Sequence, residues 1–275
     1  MFKQRFVTAL VIALLFASAL VFFSATDFIS AMAIIVLIAG WEWTHLAKLE
    51  STFGKSVFLL GLIATMIVAA HYIGFYGEYT PLIAFQICVA TMALWALIFL
   101  WLQGYPSSAI LWSSRPVMVI LGVVLLTTTW VSLTALTFLE NGRFILLLAV
   151  TIIVLADVGG YLFGKAFGRH KLAPTISPGK TWEGLFGGMA LQILLVLGLV
   201  LNVEITSVLN LCFLIFPVAI FSVIGDLFES MLKRHRGVKD SSNLLPGHGG
   251  FLDRLDGVMA ALPLFFVILT KASPF

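Results

Sequence analysis

The sequence predicts an all-α polytopic membrane protein, a bundle of about nine transmembrane helices. Hydrophobic residues make up 61% of the 275 residues and charged residues only 11%, against roughly 25% charged residues in a soluble domain. The mean hydropathy is +1.09. The apolar runs are long and continuous, and lipid cannot satisfy exposed backbone polar groups. Helices are therefore expected rather than the short alternating strands of a barrel.

The nine spans follow from apolar runs of about 20 residues, enough to cross a hydrocarbon core of about 30 Å. The first run follows two basic residues and could pass for a signal peptide, because Ala17-Ser18-Ala19 resembles a cleavage site. It continues to Ala25, however, so we expect an uncleaved first helix. The predicted spans are residues 6–25, 28–46, 56–75, 81–101, 116–138, 144–164, 185–202, 208–228 and 254–270.

The basic residues predict the orientation of these spans. With the N-terminus inside, 14 of the 16 Lys and Arg residues fall on one side, and only Arg143 and Lys271 fall on the other. Cytoplasmic loops carry an excess of Lys and Arg, so the richer side is expected to be cytoplasmic and the C-terminus external. The net charge of +3 is small and does not indicate nucleic acid as a partner.

The two halves of the chain differ in chemistry. Residues 1–141 have short, plain loops and are expected to serve as scaffold or lipid-facing packing. Residues 142–275 carry two long polar loops, Lys165–Gly184 and Lys233–Gly250, and eight of the 13 acidic residues. Two cysteines lie inside apolar runs and are expected to be buried thiols, Cys88 and Cys212.

Four carboxylates border the second polar loop. Asp226 and Glu229 share one helix face, with Ser230 and Lys233 one and two turns along, and Asp253 and Asp256 share another face. Each acid would cost about 2.5–3.5 kcal/mol at mid-bilayer, so the group must line a wet cavity, pair with bases or hold a cation. Mg²⁺ prefers oxygen ligands, usually one or two carboxylates plus substrate phosphates, and the two faces could converge on one.

Interfacial ion pairing is the alternative interpretation of the same acids. Glu229 could pair with Lys233 one turn later, and the two aspartates of the last span could pair with Arg254 or Lys239. The neighbouring glycines are not explained by pairing alone. Pairing therefore stays open beside the metal site.

Two turns could hold phosphate. Pro246–Gly250 is a tight glycine turn before a helix start, where His248 could bind phosphate, donate a proton or only brace the loop. Residues 176–184 nearly match a P-loop, but Pro174 replaces a required glycine and no strand of a soluble domain is expected, so we reject that motif. The hydroxyl and amine groups of Ser177, Lys180 and Thr181 at this second turn could still bind a phosphate group. The alternative is a turn at the membrane surface without a ligand.

One further acid lies inside an apolar span. Asp157 precedes Gly159 and Gly160 in the sixth predicted span. An acid within the membrane is a functional candidate, although Asp157 could instead pair with Lys165.

These residues resemble the signature of the phosphatidate cytidylyltransferase family, also called CDP-diacylglycerol synthases. The resemblance covers about residues 142–275, and it implies packed transmembrane helices around a cytosol-facing polar cavity, often in a homodimer. The residues that carry it are Ser230-x-x-Lys233-Arg234, Lys239-Asp240, His248-Gly249-Gly250, Asp253-Arg254 and Asp256, with Asp157, Ser177-Pro178, Lys180-Thr181 and Glu183-Gly184 upstream.

The resemblance also implies a reaction and a location. CTP and phosphatidate would give CDP-diacylglycerol and pyrophosphate with Mg²⁺ as cofactor, a second cation being left open, at the cytoplasmic face of a bacterial inner membrane. Asp226 and Asp253 would be the first metal ligands, with Asp256 close by. The expected catalytic residues are Asp226, Asp253, Asp256, His248 and Lys239, and the expected substrate-binding residues are Ser177, Lys180, Thr181, Ser230, Lys233, Arg234 and Arg254.

Three other functions are alternatives for a membrane protein of this composition. A transporter or channel would spread its acids through the bilayer and would not need glycine-rich loops. A non-catalytic lipid-binding scaffold would not explain the convergent acids, glycines and lysines. A related membrane enzyme that uses CTP with another lipid, such as a polyprenol kinase or an archaeal-type lipid cytidylyltransferase, is the closest alternative.

Overall fold

The computed structural model describes residues 2–75, 77–247 and 249–274. Within residues 2–9 it describes the backbone, and Thr8 is the one residue there whose side chain it also describes. In this part of the chain there are ten helices and one two-stranded antiparallel sheet. The helices are α1 Phe2–Phe22, α2 Ala25–Leu46, α3 Thr52–Tyr72, α4 Pro81–Gly104, α5 Ala109–Trp112, α6 Arg115–Thr137, α7 Gly142–Phe167, α8 Trp182–Asn202, α9 Val208–Arg236 and α10 Leu252–Lys271. The strands are β1 Lys171–Ala173 and β2 Ser177–Thr181.

The protein is an all-helical, multi-pass membrane protein. Within the described ranges, seven helices are long and apolar enough to cross a membrane, namely α2, α3, α4, α6, α7, α8 and α9. The described apolar part of α1, Leu10–Phe22, is shorter, and α10 begins with three charged residues among its first five. Each of the nine predicted spans coincides with a helix, but a count of nine membrane crossings stays a prediction.

The first compact unit contains Met1–Ala84, Ala109–Leu146 and Leu232–Leu255. Its core forms where α6 packs on α2 and α3. Trp43 Nε1 donates to the carbonyl of Met118 at 2.8 Å, and the indole lies where a Cβ on Gly122 would be, so only glycine fits there. Because α6 is surrounded by other helices, it is the most buried of the seven spans.

The second unit contains Phe85–Ser108, Leu147–Met231 and Asp256–Phe275. Helices α7 and α8 approach closely through glycines: a Cβ on Gly159 would lie 2.7 Å from the Cα of Gly188. Helices α9 and α10 cross as closely, because a Cβ on Gly225 would clash with the carbonyl oxygen of Asp256. The α9–α10 crossing therefore lies directly beside Asp226.

Two segments differ from the sequence prediction. The polar loop after α7 contains the β1–β2 hairpin, which ends at Thr181. The Thr181 hydroxyl accepts a hydrogen bond from Gly184 N at 3.1 Å and so caps the N-terminus of α8. Helix α9 continues beyond the predicted membrane span, which ends at residue 228, and beyond Lys233 to Arg236, because basic residues are favourable at a helix C-terminus. It stops at Gly237, whose φ of +77° is the left-handed conformation typical of a helix end.

Candidate active site

The Asp253 carboxylate is the centre of a buried network in the first unit. Its Oδ1 lies 2.5 Å from Lys233 Nζ. Its Oδ2 accepts three hydrogen bonds, from Ser241 N at 2.9 Å, Ser241 Oγ at 2.8 Å and Gly250 N at 2.8 Å. The side chains of Lys233 and Asp253 are 11% and 6% exposed. The network fixes the orientation of this carboxylate.

These contacts also set the charge of Asp253. Burial acts to raise its pKa, but the hydrogen bonds from Lys233, Gly250 and Ser241 and the charge of Lys233 outweigh burial, so the pKa lies below its usual value. Asp253 is therefore ionised at neutral pH. The backbone at Gly249 lies very close to the Asp253 carboxylate, because a Cβ at this position would lie 2.5 Å from Asp253 Oδ2. The φ of +77° at Gly249 also favours glycine there.

Glu42 belongs to the same network and was missed by the sequence analysis. It lies in α2 and is fully buried. Its carboxylate accepts hydrogen bonds from Phe251 N at 3.1 Å and Leu252 N at 2.6 Å, the start of α10. It also accepts from Ser242 Oγ at 2.5 Å and lies 3.3 Å from Ser241 Oγ. The sequence signal that points to Glu42 is an acidic residue within an apolar span.

A second lysine–aspartate pair lies in the second unit. Lys180 Nζ is 2.6 Å from Asp226 Oδ2, with side chains 22% and 28% exposed. Ser230 Oγ donates to Asp226 Oδ1 at 3.2 Å, which matches their i, i+4 spacing on α9. The pair is more open to solvent than the pair at Asp253. The structure thus brings together three predicted site residues here.

A cavity of about 430 Å³ adjoins this pair. It lies between α7, the hairpin and the start of α8. The polar residues that line it include Lys165 and Lys180, and Ser177, Thr181 and Tyr161, which carry hydroxyl groups. Two ammonium groups and several hydroxyls in one concave site suit a phosphate group.

Glu183 braces the hairpin that carries Lys180. It lies in the first turn of α8 and accepts from Arg169 N at 3.1 Å and His170 N at 3.2 Å. Its Oε1 also lies 2.6 Å from His170 Nδ1. The start of the hairpin is therefore tied to the start of the next helix.

The remaining predicted residues have separate positions. Asp256 is half-buried on α10 and its Oδ1 accepts from Gly257 N at 2.7 Å. Asp157 is exposed on α7. His248 lies outside the described residues. Three predicted basic residues are exposed on the first unit, Arg234, Lys239 and Arg254.

Ion pairing does occur at Asp253, as the alternative interpretation expected, but its partner is Lys233. Asp253 pairs with Lys233 rather than with Arg254 or Lys239. Among the described residues, no three His, Cys, Asp or Glu side chains form a group that could hold a metal ion by themselves. Mg²⁺ needs only one or two carboxylates when substrate phosphates complete its coordination, so the oxygen donors of these aspartates suit it chemically.

Comparison with known proteins identifies the family. The phosphatidate cytidylyltransferase of Pseudomonas aeruginosa is 38% identical over 277 residues, covering 99% of this chain and 98% of that protein. The enzyme of the same name from Haemophilus influenzae is 35% identical, covering 96% of this chain and 97% of that protein. The sequence model of the cytidylyltransferase family matches residues 3–271, and the chain therefore belongs to the cytidylyltransferase family.

Proposed function

We propose that this protein transfers the cytidylyl group of CTP to phosphatidate and releases pyrophosphate. The similarity to phosphatidate cytidylyltransferases over nearly the whole chain carries this proposal. The geometry supports it, since lysine–carboxylate pairs and a hydroxyl- and lysine-lined cavity belong to phosphate chemistry. The membrane-spanning helices suit a lipid substrate.

In the proposed reaction, a phosphate oxygen of phosphatidate attacks the α-phosphorus of CTP. A new P–O bond forms, the bond from the α-phosphorus to the bridging oxygen breaks, and pyrophosphate leaves with the electron pair. Such transfers depend mainly on positioning and on neutralising charge. Lys180 and Lys233, which form ion pairs with Asp226 and Asp253, would neutralise phosphate oxygens.

The cavity beside Lys180 is the proposed place for the CTP phosphates. Ser177 and Thr181 can donate hydrogen bonds to phosphate oxygens, and Lys180 supplies positive charge. Ser230 holds Asp226 in place beside Lys180. The exposed bases of the first unit, Arg234 and Lys239 among them, would contribute at the pyrophosphate.

Mg²⁺ would be held by one or two of the three aspartates expected as its ligands, Asp226, Asp253 and Asp256, with substrate phosphates completing its coordination. When bound, it supplies positive charge for the oxygens of the transferred and leaving phosphates. The crossing of α9 and α10, where the Asp256 backbone lies against Gly225, supports Asp226 and Asp256 as ligands on neighbouring helices. Asp253 is ionised, as a ligand must be.

We also propose a location and an assembly. Fourteen of the 16 basic residues lie on the side predicted to be cytoplasmic, which supports a site facing the cytoplasm of a bacterial inner membrane. A homodimer follows from the family resemblance alone.

The test is an assay of the purified protein in detergent with phosphatidate and each nucleoside triphosphate in turn. CTP should give equal amounts of CDP-diacylglycerol and pyrophosphate, and Asp226→Asn should abolish this turnover while leaving the protein inserted and folded. No pyrophosphate from CTP and phosphatidate would reject the proposal. Release of CDP with phosphorylation of a polyprenol would instead identify the kinase alternative.

A further inference from the structure

Glu42, in the half of the chain expected to serve as scaffold, lies at the base of the loop that holds Asp253. We propose that Glu42 is a positioning residue for the reaction, holding residues 241–252 so that Asp253 keeps its orientation toward Lys233. This inference rests on the proposed role of Asp253. It assigns Glu42 no contact with either substrate.

The first step is the number of hydrogen bonds that Glu42 accepts. A buried carboxylate is tolerated only when its oxygens are satisfied. Glu42 takes two backbone N–H groups, from Phe251 and Leu252, and two hydroxyls approach it, from Ser241 and Ser242. Ser241 has one hydroxyl proton, which its shorter contact directs to Asp253, so three donors from this segment occupy three of the about four acceptor positions of the Glu42 carboxylate.

The second step is the place of these contacts at a helix start. Leu252 is the first residue of α10, and its N–H is one of the groups that no intrahelical carbonyl can satisfy. A negative charge at a helix N-terminus is also favoured by the helix dipole. Glu42 therefore sets where α10 begins, and Asp253 is the next residue along.

The third step is the link between the two carboxylates. Ser241 lies between them, with Oγ 2.8 Å from Asp253 Oδ2 and 3.3 Å from Glu42 Oε2. Gly250 donates its N–H to Asp253, and a Cβ at that position would clash with Glu42 Oε1 and Ser241 Oγ. A shift of Glu42 would therefore move Ser241 and Gly250, the two residues that supply the three donors to Asp253 Oδ2.

The central variant is Glu42→Gln. It removes the charge and replaces one acceptor oxygen by an NH₂ group that cannot accept from Phe251 N or Leu252 N. We expect kcat to fall by about tenfold to a hundredfold, while KM for CTP and for phosphatidate changes less than about threefold. Glu42→Asp keeps the charge and should recover part of the lost rate.

Thr44→Val is the matched control. Thr44 lies two residues further along α2, is fully buried and donates a hydrogen bond to Trp41 O at 2.6 Å. Because that hydrogen bond lies within α2, its loss disturbs the same helix and breaks no hydrogen bond to the loop. We expect its kcat to stay within about twofold of the parent chain.

Hydrogen exchange separates positioning from general destabilisation. Glu42→Gln should speed exchange of the amides of residues 251 and 252, its direct partners, and also of residues 241 and 250, which bind Asp253. Thr44→Val should change none of the four. Faster exchange at 251 and 252 alone, with kcat unchanged, would overturn the inference.

Asp253→Asn separates the proposed role of Asp253 from the proposed role of Glu42. If Asp253→Asn stays active, the proposed role of Asp253 fails. If Asp253→Asn is inactive and Glu42→Gln keeps its kcat, only the role of Glu42 fails. Should Glu42→Gln not fold, Ser242→Ala replaces it, and an unchanged kcat together with unchanged exchange at 251 and 252 would then overturn the inference.

Discussion

Replacing Lys233 by methionine tests the buried ion pair of the first unit. Lys233 Nζ lies 2.5 Å from Asp253 Oδ1, and the two side chains are 11% and 6% exposed. Methionine retains much of the apolar stem but leaves the Asp253 charge buried without its counter-ion. Removing one partner of a buried pair costs about 3–5 kcal/mol of unfolding free energy. Because Asp253 Oδ2 keeps its three donors, we expect the lower end, about 3 kcal/mol.

The assay is denaturant unfolding in detergent micelles of the parent chain, Lys233→Met, Asp253→Asn and the double variant. Asp253→Asn removes the unpaired charge, so the double variant should be about 1–3 kcal/mol more stable than the sum of the single effects predicts. Lys171→Met, at an exposed lysine of β1, is the control and should stay within about 0.5 kcal/mol of the parent. Additive single effects, or a Lys233→Met chain as stable as the control, would refute the reasoning.

Three further predictions concern the substrate, the helix crossing and the topology. Lys180→Gln should lower kcat/KM for CTP by an amount equivalent to about 1.5–3 kcal/mol of transition-state stabilisation, and should change the dependence on phosphatidate less. A two-substrate kinetic series measures both effects. The reverse pattern would place the lipid phosphate at Lys180 instead. Gly225→Ala should lower the free energy of unfolding by about 1–3 kcal/mol in the same assay, because the added Cβ meets the Asp256 carbonyl oxygen. Gly198→Ala, with open space around the added Cβ, should leave the free energy of unfolding unchanged or raise it. A reporter fused after Phe275 should be external, and a cytoplasmic signal would reject the arrangement of nine spans.

The helices of this protein could be predicted from local composition. Each predicted span coincides with a helix, most ends agreeing within about three residues, because an apolar run of this length can satisfy its backbone only as a helix. The largest difference between a predicted span and its helix is at the end of α9. The apolar composition ends at residue 228, but the helix continues through Lys233, as its spacing with Asp226 predicted, to Arg236, since basic residues suit a helix C-terminus.

The sequence by itself also determined the family, because the signature residues lie within a short stretch and need no knowledge of the fold. Only the tertiary structure decided which groups meet. Glu42 and Leu252 are 210 positions apart, and no local pattern couples them. Likewise Asp253 has Lys233 as its partner, although Arg254 and Lys239 are closer along the chain. Charge and apolar length are local properties of a segment, whereas the partner of a buried carboxylate depends on which segments fold against each other.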